Sequence, residues 1–437
     1  MTLTRFIRLA MGVGAINLAE RAIGILLGIL LVRWLGAEDY GTYAFVMAWV
    51  VILNILAQFG LPDLLMRDLA RARSDHFQTS IRGLLQRTVR LVLIFSVLTT
   101  AAGLVLTELF ITLGNDKLKL PLVIGFCGLP ILALLGVYGA AWRGLGRSLA
   151  TQVFGTLLPT ITVLLLTSGT MVAFAQRNNA GAALTCRFLG LAAALIAAKF
   201  FLSRHLKRPE ADQNGSLESV GETLLAALPF MLLTGAFIVM SRTDVVMIGI
   251  LATQREVGLF NAGLQAAALA QFGLSVSNSI VAPEFARLHA NGERMELQYL
   301  AVATARMVLM FGLAILVILS LFGNALLAFM FGAEFQTAYS AMLILVIGQS
   351  VALMFGEPGF LLNMTGNHTL TLLLVSGTGF LNIVLNMVLI PLTGIEGAAL
   401  STSIALVTWR ALGWVYVRRR MGINCGAFDR AASSETI

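Results

Sequence analysis

Charged residues are scarce in this chain. Asp, Glu, Lys and Arg make up 12% of the 437 residues, and 58% of the residues are hydrophobic. Soluble domains carry about a quarter charged residues, so this balance excludes an ordinary soluble globular protein. The apolar runs are about 20 residues long, enough for a helix to cross a bilayer and too long for barrel strands of about 10 residues. The composition therefore predicts an all-α polytopic membrane protein.

Residues that commonly carry catalysis or bind metals are also few. The four histidines show no metal-ligand spacing, and no P-loop pattern occurs. Of the three cysteines, Cys127 and Cys186 fall in predicted helices and Cys425 in the predicted tail, so we expect no structural disulfide. The predicted outer loops are too short for a folded outer domain that polymerises or ligates sugars. We therefore expect no metal, no cofactor and no enzymatic activity.

Twelve membrane-spanning helices are predicted from the apolar runs. The first run is too long for the apolar core of a cleavable signal peptide and ends in Arg33-Trp34 instead of a cleavage site, so we expect a retained first span. The predicted spans are residues 11–32, 41–61, 88–107, 121–141, 151–175, 181–202, 223–251, 259–282, 299–321, 337–363, 369–391 and 395–417.

The two halves of the chain repeat each other. The sequence AQFGL at 57–61 returns at 270–274, and GAAL at 181–184 returns at 397–400. Six spans in each half predict two six-helix bundles related by a parallel repeat, an arrangement that leaves a cleft able to open to either side of a membrane. The predicted division is an N-terminal bundle, a polar linker, a C-terminal bundle and a tail, at residues 1–202, 203–222, 223–417 and 418–437.

The positive charge is concentrated on one side of the predicted spans. The side that holds both termini carries 20 Lys and Arg residues in its loops, and the other side carries five. This bias predicts cytoplasmic termini in a multi-pass protein of the cell (inner) membrane. Topology and contact with anionic membrane lipids account for the net charge of +8, so we expect no nucleic-acid partner.

Ionisable residues within the predicted spans are candidates for function, because each costs roughly 3 kcal/mol or more at the bilayer centre unless it is paired or faces water. The acidic members are Glu20, Asp244 and Glu357, and the basic members are Arg21, Arg187, Arg242, Arg306 and Arg410. Five bases against three acids favour an anionic substrate, since arginine can bind a phosphate through two hydrogen bonds. The alternative is that these groups only pair with each other and hold helices together.

We divide these candidates by their chemistry. The substrate-binding candidates are Arg21, Arg187, Arg242 and Arg410, and the candidates for coupling a proton or sodium ion are Glu20, Asp244 and Glu357. Arg306 lies close to the predicted inner interface, which its long side chain can reach. Asn382 and Asn386 share one helix face, and interhelical hydrogen bonding is the expected role for them. The Glu357-Pro358 pair predicts a kink in the tenth span, because proline removes a backbone donor.

Several stretches together resemble a known family. LGAEDYGTYAF and GLPDLLMRDLARARSD in the first half, with ALPFMLLTGAFIVMSRTDVVMIGIL and EVGLFNAGLQ in the second, are similar to the oligosaccharide flippases of the polysaccharide transporter family. That family is a branch of the multidrug/oligosaccharidyl-lipid/polysaccharide (MOP) exporter superfamily. The resemblance implies two six-helix bundles around a cation-lined cavity, with Arg242 and Asp244 of SRTDVVMIG as cavity residues.

The resemblance also implies an activity. A flippase of this family moves a polyprenyl-diphosphate-linked oligosaccharide from the inner to the outer leaflet, is driven by an ion gradient, and serves cell-surface polysaccharide synthesis beside a polymerase and glycosyltransferases. Two alternatives remain open. An antiporter of cationic drugs or metabolites would use Glu20 and Asp244 in the same architecture, and a non-transporting scaffold would depend on the inner loops alone.

Overall fold

The computed structural model describes residues 3–74, 81–112, 116–173, 179–206, 219–271, 281, 284–285, 287–288, 291–364 and 366–429. Within these residues the regular structure is entirely helical, without a strand, so the all-α prediction is confirmed. The chain divides into two compact units, Met1–Gly235 and Ala236–Ile437. The predicted linker at 203–222 lies mostly outside the described residues, as does the end of the predicted tail, so the predicted domain limits stay a prediction.

Ten helices within the described residues are long and apolar enough to span a membrane. The first of them, Ile16–Gln58, has 43 residues, and at about 1.5 Å per residue it extends about 65 Å, twice the thickness of a hydrocarbon core. It therefore contains the first two predicted spans. The eighth predicted span, 259–282, lies partly outside the described residues, and the other nine predicted spans match the remaining nine helices.

The first unit begins with a long helix that bends at Gly36. That residue has φ 71° and ψ 177°, a backbone conformation that glycine adopts without steric cost, so the two spans join without an intervening loop. The helices of the first unit are α1 (Leu3–Gln58), α2 (Leu61–Ser74), α3 (Ile81–Thr112), α4 (Lys119–Cys127), α5 (Leu129–Gly144), α6 (Ser148–Gln152), α7 (Leu158–Ala173) and α8 (Ala180–His205), with a π turn at Val153–Leu157.

The helix α2 is amphipathic and packs on α5 through one face. Its buried side chains recur at helical spacing, and they are Leu61, Leu64, Leu65 and Leu69. The turn before α2 needs Gly60, whose φ is 69° and where any side chain would collide with the carbonyl oxygen of Ala227. The repeated AQFGL sequence is therefore a structural turn in this unit.

The second unit starts within α9 (Val220–Leu251). Its further helices are α10 (Gln254–Ala267), α11 (Arg294–Phe331), α12 (Tyr339–Leu353), α13 (Pro358–Met364), α14 (His368–Thr393) and α15 (Ile395–Tyr416), with 3-10 turns at Ala268–Gln271 and Ala333–Ala338 and a π turn at Val417–Met421. The predicted tenth span, 337–363, is broken into α12 and α13. Gly356 lies in the break with φ 70°, directly before Glu357-Pro358.

The crossing of α7 and α8 in the first unit depends on a glycine. At Gly190 a Cβ atom would lie 2.8 Å from the backbone N and Cα of Val163, and the Thr162 hydroxyl donates to the Gly190 carbonyl oxygen at 2.8 Å. Helices in membranes approach closely through small residues of this kind. Because the obstructing atoms belong to a helix backbone, they cannot move aside cheaply.

We expect Gly190→Ala to destabilise the first unit by about 1–3 kcal/mol, the usual penalty for overpacking. The matched control is Gly169→Ala on α7, where a Cβ atom would meet nothing within 4 Å. Thermal unfolding in detergent, followed by tryptophan fluorescence, should show the melting temperature several degrees lower for Gly190→Ala and unchanged for the control. Equal melting temperatures would contradict the close crossing.

Candidate functional site

A buried carboxylate in the second unit is hydrogen-bonded to side chains of two other helices. Asp244 lies in α9 and is 4% exposed. Asn382 and Asn386 of α14 donate through their Nδ2 atoms to Asp244 Oδ1 at 3.0 and 2.7 Å. Thr402 of α15 donates to Asp244 Oδ2 at 2.8 Å. We call these four residues the Asp244 cluster.

The local sequence explains how α14 presents two amides to one carboxylate. Asn382 and Asn386 are one helical turn apart and therefore lie on the same face, and both are buried. Asn386 Nδ2 also lies 3.1 Å from Asn382 Oδ1, which links the two amides. The amide Oδ1 of Asn386 is buried and accepts no hydrogen bond.

The Asp244 carboxylate has no basic partner among the described residues. None of the ion pairs formed in that part of the chain includes Asp244. Burying a carboxylate without a counter-charge is costly, and neutral hydrogen-bond donors compensate only part of that cost. A bound proton or a monovalent cation would supply the missing positive charge.

The donor set of the Asp244 cluster suits a hard cation. The two carboxylate oxygens, the Thr402 hydroxyl and the unused Asn386 Oδ1 are all oxygen atoms, which hard cations prefer. Turning the two amides about their terminal bonds would replace their N–H groups with oxygen atoms facing Asp244. The described residues contain no group of three or more His, Cys, Asp or Glu side chains with metal-binding geometry.

Two further candidates pair with each other in the second unit. Arg410 of α15 is 8% exposed, and its Nη1 lies 2.7 Å from Glu357 Oε1. The same nitrogen donates to the Gly356 carbonyl oxygen at 2.9 Å. This pair attaches α15 to the break between α12 and α13. Arg410 and Glu357 therefore fit the alternative in which charged residues pair with each other and hold helices together.

Arg187 has a neutral partner in the first unit. Its Nη1 donates to the Tyr43 hydroxyl at 2.9 Å, and the Tyr43 ring stacks on Tyr40 with centroids 6.2 Å apart. The Nε atom of Arg187 is buried without a hydrogen-bond partner. The half-buried guanidinium therefore keeps unused donor capacity.

The remaining candidates lie on the first helix of each half. Glu20 is half-buried on α1, Arg21 is exposed beside it, and Arg242 is exposed on α9 two residues before Asp244. Arg306 is attached elsewhere, through hydrogen bonds to the backbone of 427–429. The structure thus brings Asp244 together with Asn382, Asn386 and Thr402, and not with the other charged candidates.

The partners of Asp244 were not identified from the sequence. The sequence predicts interhelical hydrogen bonding for Asn382 and Asn386, and they form it, but nothing in the sequence indicates that Asp244 is their partner. The available signal was the spacing of the two asparagines by one turn in a span without other large polar residues. Thr402 carried no signal, because hydroxyl side chains are common in membrane helices.

The fold is that of the MOP superfamily transporters. The chain is similar to the inward-facing form of a multidrug resistance MATE family transporter of that superfamily, with a TM-score of 0.76 and 14% identity over 94% of this chain and 98% of the other. It is also similar to the lipid II flippase MurJ in an inward closed conformation, with a TM-score of 0.76 and 12% identity over 93% and 87% of the two chains.

A third structure is a MOP superfamily transporter from Pyrococcus furiosus, described by the reverse polarity of its binding pocket. It gives a TM-score of 0.65 and 16% identity over 95% of each chain. At these identities the likeness establishes the fold, and it confirms an all-α membrane protein with about twelve spans. No curated protein sequence matches the chain significantly.

The sequence pattern of the polysaccharide biosynthesis protein family matches residues 11–289, which is more than half of the chain. The chain belongs to this family, as its motifs indicated.

The Asp244 cluster predicts a stability difference between two substitutions. Asp244→Ala removes the acceptor of three interhelical hydrogen bonds, each worth about 0.6 kcal/mol on average in membrane proteins, so we expect a loss of about 2 kcal/mol. Asp244→Asn retains one acceptor oxygen and should lose less. Glu396→Ala, an exposed acid at the start of α15, is the control. The melting temperature in detergent should be lowest for Asp244→Ala, higher for Asp244→Asn and unchanged for Glu396→Ala. An Asp244→Ala protein as stable as the parent would contradict this prediction.

Proposed function

We propose that this protein exports a polyprenyl-diphosphate-linked oligosaccharide from the inner to the outer leaflet of the cell membrane by alternating access. Membership of the polysaccharide biosynthesis protein family is the observation that carries this proposal. The likeness of fold to a lipid II flippase is consistent with it, because lipid-linked substrates are accommodated by that architecture. The activity is transport, with no covalent step assigned to the chain.

The arginines within the spans are the groups that suit a diphosphate. Arg21 on α1 and Arg242 on α9 are exposed although both lie in membrane-spanning helices. A guanidinium at that depth avoids lipid and faces water or an anion. Arginine binds phosphate oxygens through two parallel hydrogen bonds, so Arg21 and Arg242 are each proposed as a candidate to bind a phosphate group of the substrate. Arg187, with an unused Nε, is proposed to contribute.

Ion coupling is assigned to Asp244. Its carboxylate connects α9, α14 and α15 and has no basic partner among the described residues. A proton on the carboxylate, or a sodium ion among the oxygens of the Asp244 cluster, would change the hydrogen bonds that join these three helices. Glu20 is a second candidate. Glu357 is the weaker one, because it is already paired with Arg410.

The orientation and setting follow from the same proposal. Cytoplasmic termini place the basic loops against the inner leaflet, where anionic lipids attract them. A flippase for cell-surface polysaccharide would act in the cell (inner) membrane after glycosyltransferases have built the lipid-linked unit and before a polymerase uses it.

A second candidate function is a proton- or sodium-coupled antiporter of cationic drugs or metabolites. The observation in its favour is the fold, which matches a multidrug resistance MATE transporter as well as it matches the flippase. Under this alternative Asp244 would bind the cationic substrate or exchange it for a proton. Efflux of a cationic dye from vesicles, without any effect on lipid-linked sugars, would support the alternative.

Deleting the protein should cause one lipid-linked glycan to accumulate on the inner leaflet, measurable by mass spectrometry of extracted lipids. Complementation with Arg21→Gln or Arg242→Gln should lower surface polysaccharide about tenfold, since a charged hydrogen bond is worth about 1.5–3 kcal/mol. Arg255→Gln, an exposed arginine of α10, is the matched control and should restore export fully. Full export by both cavity variants at normal expression would reject their assignment.

Ion binding at Asp244 should be visible in the purified protein without substrate. A cation that binds only the folded state stabilises it, by about 2.7 kcal/mol at one hundred times its dissociation constant. We expect the melting temperature to rise in NaCl relative to equal KCl if sodium binds, or to vary with pH and not with sodium if a proton binds. Asp244→Asn should remove the sodium response or, if a proton binds, reduce the pH response by the part that belongs to Asp244. A parent protein insensitive to both ions would contradict the coupling assignment.

A further inference from the structure

The C-terminal segment folds back onto the second unit. Residues 422–429, here called the latch, follow the π turn Val417–Met421 and lie against the break between α12 and α13. Four of its eight residues are buried, among them Cys425 at 1% exposure, and of its two large apolar side chains Ile423 is buried and Phe428 is exposed. Its attachment comes mainly from hydrogen bonds.

The first set of contacts joins the latch to the break itself. The Ala427 N–H donates to the Met354 carbonyl oxygen at 2.9 Å, and the Cys425 thiol lies 3.9 Å from the Phe355 carbonyl oxygen. At Gly356 a Cβ atom would collide with the Cys425 carbonyl oxygen. Carbonyl groups at a helix end have no intrahelical donor, so the latch satisfies groups that the break leaves open.

The second set of contacts joins the latch to α11. Arg306 Nε donates to the Ala427 carbonyl oxygen at 3.0 Å, and Arg306 Nη2 donates to the Asp429 carbonyl oxygen at 2.9 Å. Charged donors form the stronger class of hydrogen bond. One arginine thus holds both ends of the last turn of the latch.

The third set joins the latch to α15 and its π turn. Asp429 Oδ2 accepts from the Trp414 Nε1–H at 2.9 Å and from the Gly426 N–H at 2.9 Å. Arg418 Nη1 lies 3.7 Å from Asp429 Oδ1. The latch therefore connects α11, the break and α15 at one end of the unit.

These contacts would restrict a hinge motion of α13 relative to α12. The break between the two helices has the features of such a hinge. Gly356 supplies backbone freedom, Pro358 removes a helical hydrogen bond, and the Arg410 to Glu357 ion pair spans the same point. Met354 and Phe355 cannot move relative to α11 while Ala427 and Cys425 remain bonded to them. Hinges of this kind are a few residues at the ends of elements.

We propose that residues 422–429 are a latch that holds the break between α12 and α13 in one geometry and that must detach before α13 can move. Arg306 and Asp429 are its fastening groups. The effect of the latch on transport rests on the proposed function, whereas its attachment does not.

The reactivity of the Cys425 thiol can be used to measure whether the latch is attached. Burial, together with the negative charges of Asp429 and Glu357, raises the pKa of the Cys425 thiol to about 12. The thiolate is the reactive form, so the attached thiol should react very slowly with a maleimide. Detachment would expose it and return its reactivity to that of an ordinary cysteine.

The first experiment measures maleimide labelling of Cys425 in purified protein carrying Cys127→Ser and Cys186→Ser. We expect Arg306→Gln to raise the initial rate about tenfold or more. Asp429→Asn should do the same, but because it also removes a negative charge that raises the thiol pKa, the Arg306→Gln rate decides the test. Arg294→Gln, an exposed arginine near the start of α11, is the matched control and should leave the rate unchanged. Rates equal to the parent in both fastening variants would overturn the proposal. The two variants lie on different elements, so misfolding of one does not invalidate the test. Gel filtration verifies that each variant is folded.

The second experiment locks the latch in a protein that also carries Cys425→Ser. Met354→Cys with Ala427→Cys places the new thiols at two residues joined by a backbone hydrogen bond of 2.9 Å, and loss of free thiol on oxidation verifies the disulfide. Oxidation should lower export at least tenfold, and a reductant should restore it. Undiminished export by the oxidised protein would overturn latch release. Absence of export in the parent would instead count against the proposed function, while the labelling result would stand.

Discussion

The cost of an uncompensated charge within a membrane is the constraint on which the second unit depends. Asp244 is buried where water cannot solvate it, and the three helices that meet there each supply something to it: α9 the carboxylate, α14 two amides, α15 a hydroxyl. Neutral donors orient a carboxylate but do not neutralise it. The packing of these helices therefore depends on the charge of one carboxylate, which is the reason ion coupling is proposed for Asp244.

Other buried polar side chains avoid the cost of an uncompensated charge or hydrogen-bonding group in different ways. Arg410 is neutralised by Glu357 and also donates to a backbone carbonyl oxygen, so it needs no external ion. Three buried hydroxyls, those of Thr99, Thr107 and Ser401, donate to carbonyl groups one turn earlier in their own helices. Such groups are complete as they stand. The contrast singles out Asp244, whose carboxylate is bonded only to neutral groups among the described residues.

The bilayer also explains which features could be predicted from the sequence. Every backbone polar group in hydrocarbon must be bonded internally, so apolar runs of about 20 residues predict helices with little ambiguity. The break before Pro358 was predictable for a similarly local reason. The pairing of Glu357 with Arg410, and of Asp244 with two asparagines, was not, because residues more than 50 positions apart meet only through helix packing. The ends of the first two helices were not predictable. The sequence predicts two separate spans, whereas the structure joins them into one helix that bends at Gly36.

Two places in the second unit are held together in different ways, the crossing of α12 and α15 by close packing and the break at Gly356 by hydrogen bonds. Gly348 of α12 lies directly on Ser403 of α15, where any side chain would collide, so this crossing is held by close contact of backbones. The break at Gly356 is held instead by separate hydrogen bonds to the latch and to Arg410. Interhelical hydrogen bonds in membrane proteins average about 0.6 kcal/mol, those with a charged donor such as Arg306 or Arg410 are stronger, and coupling between two sites is typically about 1–3 kcal/mol. A few of them can therefore be exchanged within the energy that ion or substrate binding supplies. Under the latch proposal, a change of angle at Gly356 would leave the packed crossing of α12 and α15 undisturbed, because the two are held by separate contacts.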